Sequence, residues 1–258
     1  MANELIFAEE RQNKILEMLK LREKVLVNEL CEEFSVSTAT IRNDLNQLEK
    51  AGLLKRTHGG AMSAIKATFE PTSSEKLLKN YDKKQRIAEC ASKFIENGDT
   101  VAIDTGTTTY CLAELLLGKK NVTVVTTDIK IATLLESAEG ISVVLAGGML
   151  RKGFSCTIGA VTNSILSSFN VDKVFIASNA VSDLGDICTP DIEQAKVKQT
   201  LISMGSQVFL LADSSKFESH SFARFGNISE VDTVITDSDI DPKKIKHFRS
   251  SGATFLTV

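Results

Sequence analysis

The run Ser37-Thr38-Ala39-Thr40-Ile41-Arg42-Asn43-Asp44-Leu45, followed by Arg56-Thr57-His58-Gly59-Gly60, sets hydroxyls, an amide and a guanidinium ahead of a glycine-tipped turn. That set suits DNA reading. Small residues let a backbone approach the major groove, Arg42, Asn43 and Asn46 have the reach for base edges, and hydroxyls with free N–H groups suit phosphates. Ser37 stands where an N-cap hydroxyl would accept the N–H of Thr40. With Ile41, Leu45 and Leu48 facing a core, Ala39, Asn43, Asn46 and Lys50 point away from it, with Thr38, Arg42 and Glu49 on the flanks. The segment 53–57 reads as a short strand, His58-Gly59-Gly60 as a tight turn and Ala61-Met62 as a return strand, a wing that brings Lys55, Arg56, His58 and Gly59 toward a phosphate backbone. Taken alone, the helix also fits an ordinary amphipathic helix with a solvated outer face.

A second chemistry sits at Asp104-Thr105-Gly106-Thr107-Thr108-Thr109, where a strand closes and a helix opens. Hydroxyls and unpaired N–H groups converging on a helix N-terminus suit an anion. The run lacks both the G-x-G-x-x-G spacing and the G-K-[ST] ending of nucleotide loops, so a small phosphate ester fits it better than a nucleotide, although it also fits a capped loop with no ligand. Thr127, Gly147, Gly148, Asn179, Asp191, Asp213 and Lys216 fall at the same C-terminal edge of the expected strands, where open α/β sheets bind ligands. Lys198 and Lys216 are candidates for neutralising a phosphate; each also fits a plain surface lysine.

These groups need elements to carry them. Apolar residues recur at helical spacing at Ile15, Leu16 and Leu19, at Val27, Leu30, Cys31 and Phe34, and at Ile41, Leu45 and Leu48, predicting three short helices that end near Gly52. Strands are predicted over 100–104, 122–126, 141–145, 173–177, 207–212, 233–236 and 254–258, with helices over 83–96, 109–117, 129–137, 160–169 and 192–204. Nearly continuous apolar strands alternating with helices imply an α/β fold with a mainly parallel sheet covered on both faces. The expected layout is a small DNA-binding domain over 1–62, a polar linker over 63–80 and an α/β sensor and oligomerisation domain over 81–258.

The chain has 258 residues, 43% hydrophobic and 24% charged, with a formal net charge of −3, so any DNA contact must come from local placement of cations. Its five cysteines are scattered and never form C-x-x-C, which argues against a disulfide framework or a thiolate zinc site, and no metal or cofactor is expected. No apolar run approaches the roughly 18 residues that a membrane span requires, and no basic-then-apolar leader opens the sequence, so a cytoplasmic location is expected.

The pattern S-x-x-T-I-R-x-D-L-x-x-L followed by R-x-H-G-G, carried by Ser37, Thr40, Ile41, Arg42, Asp44, Leu45, Leu48, Arg56, His58, Gly59 and Gly60, resembles the winged helix-turn-helix of DeoR-type bacterial repressors. By that resemblance the helix-turn-helix proper spans 25–44. I-D-T-G-T-T-T, A-G-G-M-L-R, C-T-P-D-I-E-Q-A-K-V-K and L-A-D-S-S-K-F resemble DeoR-type effector domains, so the likeness runs from Arg11 to Asp237. It implies a repressor of carbohydrate-uptake or catabolic genes, released by a phosphorylated sugar, acting on operator DNA as a dimer or tetramer. The fold it implies for the second domain resembles ribose-5-phosphate isomerases and glucosamine-6-phosphate deaminases. Two loops depart from the family pattern: Ala177-Ser178-Asn179-Ala180 where many relatives have G-A-D-G, and Thr127-Asp128 where Thr-Asn is commonest. Both bear on ligand identity.

A sugar-phosphate isomerase with an accessory DNA-binding domain is the competing reading. It would need a general base, for which Asp104, Asp191 and Asp213 are available. A regulator accounts for both halves of the chain, so no catalytic residue is assigned. An adaptor that binds no DNA ranks below both.

Overall fold

The computed structural model describes residues 7–22, 24–51, 53–63, 68, 70–249 and 252–258. It divides into two compact units, Met1–Phe69 and Glu70–Val258.

In the first unit, helices α1 (Ala8–Arg22), α2 (Val27–Phe34) and α3 (Thr38–Lys50) are joined by a sheet of β1 (Lys24–Leu26), β2 (Leu54–Thr57) and β3 (Gly60–Ser63), in the order β1-β3-β2 with antiparallel pairings. Ile15, Leu19, Val25, Leu30, Ile41, Leu45, Leu48 and Leu54 form its core, each predicted helix contributing its periodic stripe. Between α2 and α3 the chain turns at Ser35, left-handed with φ 51°. Strand β1 escaped the sequence reading because three residues are too few to show alternation. Helix α3 ends at Lys50 with Ala51 as C-cap, and Gly52, expected to end it, lies outside the described residues.

The second unit is built on a seven-stranded sheet in the order β15-β14-β12-β9-β4-β5-β6, every pairing parallel. Its strands are β4 (Thr100–Ile103), β5 (Val122–Thr126), β6 (Ile141–Leu145), β9 (Val171–Ala177), β12 (Gly205–Leu211), β14 (Thr233–Thr236) and β15 (Thr254–Thr257). Both faces are buried, as the apolar strands require. Ala102, Val174, Ile176, Val208 and Leu210 pack on one side with helices α8 (Ala160–Leu166), α9 (Ile192–Met204) and α10 (Pro242–Arg249). Ile103, Val124, Phe175, Phe209 and Leu211 pack on the other with α5 (Tyr81–Ser92), α6 (Thr107–Glu114) and α7 (Ile129–Glu136).

Smaller pieces complete this unit: helix α4 (Ser73–Leu78), a hairpin of β7 (Met149–Arg151) and β8 (Cys156–Ile158), and an antiparallel sheet of β10 (Ala180–Val181), β11 (Asp186–Thr189) and β13 (Ala223–Asn227). Helix α4 corrects the expected linker over 63–80. From Glu70 onward the chain belongs to the second unit, because a capping box between Thr72 and Glu75 starts a helix there and Glu70 is pinned by ion pairs. The five cysteines are free thiols, Cys111 and Cys156 buried. No described helix is long and apolar enough to cross a membrane.

Candidate DNA-reading face and effector cleft

In the first unit Ser37 caps α3: its hydroxyl accepts the Thr40 N–H at 3.1 Å and lies 2.9 Å from the Thr40 hydroxyl. Ser37, Thr38, Ala39, Arg42, Asn43, Asn46 and Lys50 are exposed, and Thr40 is half-buried. Asp44 points inward instead, buried at 2% exposure, where Arg11 Nε donates to it at 2.6 Å and Gln12 at 3.1 Å. A carboxylate that would repel DNA phosphates is thereby used to fix α1 against α3.

The wing is tied to the same helix. Arg56 donates its backbone N–H to Glu49 at 2.8 Å and its guanidinium to the Asn46 amide oxygen at 2.5 Å. Arg56 is therefore half-buried and engaged, while Lys55 and His58 are exposed. At the wing tip Gly59 adopts φ +86°, and a Cβ on Gly60 would lie 2.1 Å from the Val25 carbonyl oxygen. The tip is also bonded to α2, Val27 N–H donating to the Gly59 carbonyl at 2.8 Å. The turn needs glycine at both positions, one for its dihedral angle and one for close approach.

In the second unit the strand order reverses between β4 and β9, whose succeeding loops diverge and leave a crevice. At its floor Lys198 donates to Asp104 and, at 2.8 Å, to the Ala177 carbonyl, while Asp104 accepts the Ala177 N–H at 3.0 Å. Lys198 and Asp104 thus spend their charges largely on each other. Above them the cleft is lined by Thr105, Gly106, Thr107 and Thr108 at the start of α6, Ser178 and Asn179 after β9, and Asp213 and Lys216 after β12. Glu70, Ser73, Lys76, Lys79, Asn80 and Lys84 form another wall.

That wall is electrically unusual. Lys84, 3% exposed, donates to the carbonyls of Lys76 and, at 2.5 Å, Lys79, closing the C-terminal end of α4. Burial first, then the neighbouring Lys216, lowers its pKa to about 8. Lys76 is lowered to about 8 as well, by burial, with Glu70 opposing the shift and Lys216 and Lys198 adding to it. Glu70 bonds Lys76, Arg151 at 2.7 Å and Asn179 at 3.1 Å. Burial pushes its carboxyl up, but Lys76 and Arg151 outweigh that and hold it low. Asp213 is likewise raised by burial but held below its ordinary range by Lys216, by hydrogen bonds from Ser215 and Asn80, and by Lys84. Asp213 Oδ2 and Ser178 Oγ are buried without hydrogen-bond partners among the described residues.

Residues 11–67 match the DeoR-like helix-turn-helix domain and residues 79–238 the DeoR C terminal sensor domain. The chain belongs to the DeoR family. It is a DNA-binding transcriptional regulator. An uncharacterised HTH-type transcriptional regulator, YulB, from Bacillus subtilis strain 168 is 35% identical over 92% of this chain and 92% of its own length. The glycerol-3-phosphate regulon repressor of Escherichia coli K12 is 35% identical over 89% of this chain and 90% of its own. The lactose phosphotransferase system repressor of Lactococcus lactis is 35% identical over 92% and 94%. Among solved structures, ribose 5-phosphate isomerase A from Methanocaldococcus jannaschii matches 54% of this chain and 55% of its own at a TM-score of 0.40 and 18% identity, and no assignment rests on it.

Within this DeoR-family chain the expected ligand residues divide. Thr105, Gly106, Thr107, Thr108, Asn179, Lys198, Asp213 and Lys216 line one cleft. Asp104 lies behind it, buried against Lys198. Thr109 is buried, its hydroxyl donating to the Gly106 carbonyl at 3.0 Å, which shapes the loop rather than facing a ligand. Thr127 is buried outside the lining. Gly147 and Gly148 support α8, the Thr162 hydroxyl donating to the Gly147 carbonyl at 3.0 Å. Asp191 caps α9 by accepting the Gln194 N–H at 2.8 Å.

Sequence reasoning missed Glu70, Ser73, Lys76, Lys79, Asn80 and Lys84 because the polar composition of 63–80 read as a connector. The signal was the recurrence of lysine at 76, 79 and 84 beside Asn80, an excess of cations where a solvated linker has no need of one. Arg151 closes A-G-G-M-L-R and Gln194 sits within the next motif; they bond each other at 2.5 Å.

Proposed function

We propose that this protein represses a carbohydrate uptake or catabolic operon, reading operator DNA with α3 and the wing, and that a phosphorylated sugar in the cleft weakens that grip. The observation that carries the reading is the cleft itself: with Lys198 neutralised by Asp104 beneath it, four further lysines stand against the two lining carboxylates Glu70 and Asp213, beside the N-terminal end of α6. Burial is the main cause that lowers the pKa of two of those lysines, with neighbouring lysines adding to it, so an incoming anion would offset the cost of holding their charge out of water. Asp213 Oδ2 and Ser178 Oγ, buried without hydrogen-bond partners among the described residues, fit hydroxyl groups of a polyol.

A binding role suits Asp213 better than a catalytic one. Its neighbours hold it low, whereas a carboxylate serving as general base near neutral pH is tuned upward. The relatives named for glycerol 3-phosphate and the lactose phosphotransferase system support a phosphorylated or phosphotransferase-linked carbohydrate as the effector class.

On the DNA side, Arg42 and Asn43 read base edges, while Ser37, Thr38, Thr40 and Lys55 meet phosphates. Asn46, its amide oxygen held by Arg56, contributes its NH2 group. The protein acts as a homo-oligomer whose two α3 helices reach successive half-sites. The effector prefers a subunit arrangement that spaces those helices wrongly. A thermal-shift panel of sugar phosphates, followed by an operator shift assay with each hit, tests the reading. Conversion of an aldose phosphate to its ketose by the same protein would favour the isomerase instead.

A further inference from the structure

The second unit begins at Glu70, immediately after the last residue of the first. Its opening stretch is held in place from within. Glu70 is pinned by Lys76, Arg151 and Asn179, Thr72 and Glu75 form a capping box, and Lys84 binds the carbonyls at the far end of α4. The same stretch lines the cleft through Ser73, Lys76, Lys79 and Asn80.

Charge tells these lysines apart. Lys198 is neutralised by Asp104 beneath the cleft. Lys216 stands 3.9 Å from Asp213, too far for a hydrogen bond. Lys84 has no carboxylate close enough for an ion pair among the described residues, with Asp213 the nearest compensating charge, and its bonds go to two neutral carbonyls. Lys76 shares Glu70 with Arg151. Lys84 therefore has no carboxylate in ion-pair range among the described residues, and Lys76 and Lys216, which line the same cleft, have one carboxylate each, Glu70 and Asp213.

Accepting the cleft as an effector site, we propose that it takes a dianionic phosphate monoester whose phosphoryl group is held by Lys76, Lys84 and Lys216, making the stretch 70–84 that opens the sensor unit part of the ligand's own binding site. Glu70 stays in place as the pin. The effector then acts on DNA binding by stiffening the chain where the two units join, with no separate relay through the sheet. The lowered pKa values of Lys76 and Lys84, caused first by burial and then by neighbouring lysines, agree with this, since a dianion between them favours their charged forms.

The test uses the full-length protein with inorganic phosphate as probe, against chloride at matched ionic strength, and then with the best sugar phosphate from the thermal-shift panel. Hydrogen exchange of amides 70–80 should slow on addition of either, and the melting temperature should rise. Lys76→Met should weaken binding at least tenfold with an unchanged circular dichroism spectrum, and Lys76→Arg should restore most of it. Lys84→Met should behave alike; if it fails to fold, the Lys76 pair decides. Tight binding of a sugar phosphate with unchanged exchange over 70–80 and full affinity in Lys76→Met would overturn the proposal and leave the sensor reading intact. If no phosphorylated compound binds, both fall.

Discussion

Lys198 and Asp104 meet beneath the cleft at 2% and 0% side-chain exposure, and with them the two halves of the parallel sheet are clamped where their strand order reverses. Both charges are out of water, so the pair survives only because each has further partners: the Ala177 carbonyl for the ammonium and the Ala177 N–H for the carboxylate.

Removing one partner strands the other. Lys198→Met should lower the unfolding free energy by about 3–5 kcal/mol. Adding Asp104→Asn to that variant should recover part of the loss, and urea melts of the two single variants and the double variant give the coupling. Additive losses would mean that the pair is not the clamp described.

The wing offers a contrast between two adjacent cations. Lys55 is exposed and, on this account, meets a phosphate, so Lys55→Ala should reduce the salt dependence of operator binding by about one counterion. Arg56 is bonded to Asn46 and Glu49, so Arg56→Ala should weaken operator binding by loosening the wing from α3. Its salt slope should change less than that of Lys55→Ala. Anisotropy titrations across a salt series separate the two effects.

On α3, Arg42→Ala should weaken operator binding and relax base preference at one position, with sugar-phosphate binding unchanged. Thr107→Glu should do the converse by putting a carboxylate at the start of α6, where the ligand's anion approaches. Gly60→Ala is a third case: its Cβ would meet the Val25 carbonyl at 2.1 Å, so the variant should lose operator binding by unfolding the wing. Calorimetry of the full chain would show this as a lowered first transition.

Effector affinity should depend on pH in a direction that the lysines fix. With Lys76 and Lys84 lowered to about 8 in the free protein, their ammoniums are lost as pH rises past 8, and affinity for a phosphate monoester should fall there. Binding near pH 8 should take up protons, visible as a buffer-dependent heat. Stability of the free protein runs the other way. These two lysines bind fewer protons folded than unfolded between about 8 and their ordinary 10.5. Their penalty is therefore fully present below 8 and is relieved as pH climbs through that window.

Much of this is legible in the amino-acid sequence. The apolar stripes of α2 and α3, the cap at Ser37 and the run of parallel strands follow from local chemistry that a sequence displays directly. The threonine loop was visible for the same reason, since its hydroxyls and its place after β4 are local. What stayed hidden was set by distant partners. Asp44 sits in the middle of a DNA-reading helix, and only the position of Arg11 shows that it faces inward. Lys198 reads from the sequence as either a phosphate cation or a surface lysine, and only the position of Asp104 shows that its charge is met from beneath the cleft. The stretch 70–80 is polar because it faces a charged cleft, and composition alone cannot distinguish that from facing water. The strands β7, β8, β10 and β11, two to four residues each, are too short to show a period.

The central claim is that the cleft and the DNA-reading helix are energetically linked, and operator affinity with and without ligand measures that directly. Anisotropy titration of a labelled operator fragment should show affinity falling at least tenfold when the cleft is saturated with the sugar phosphate that raises the melting temperature, and that change should vanish in Lys76→Met. Saturation of the cleft with operator affinity unmoved would contradict the account.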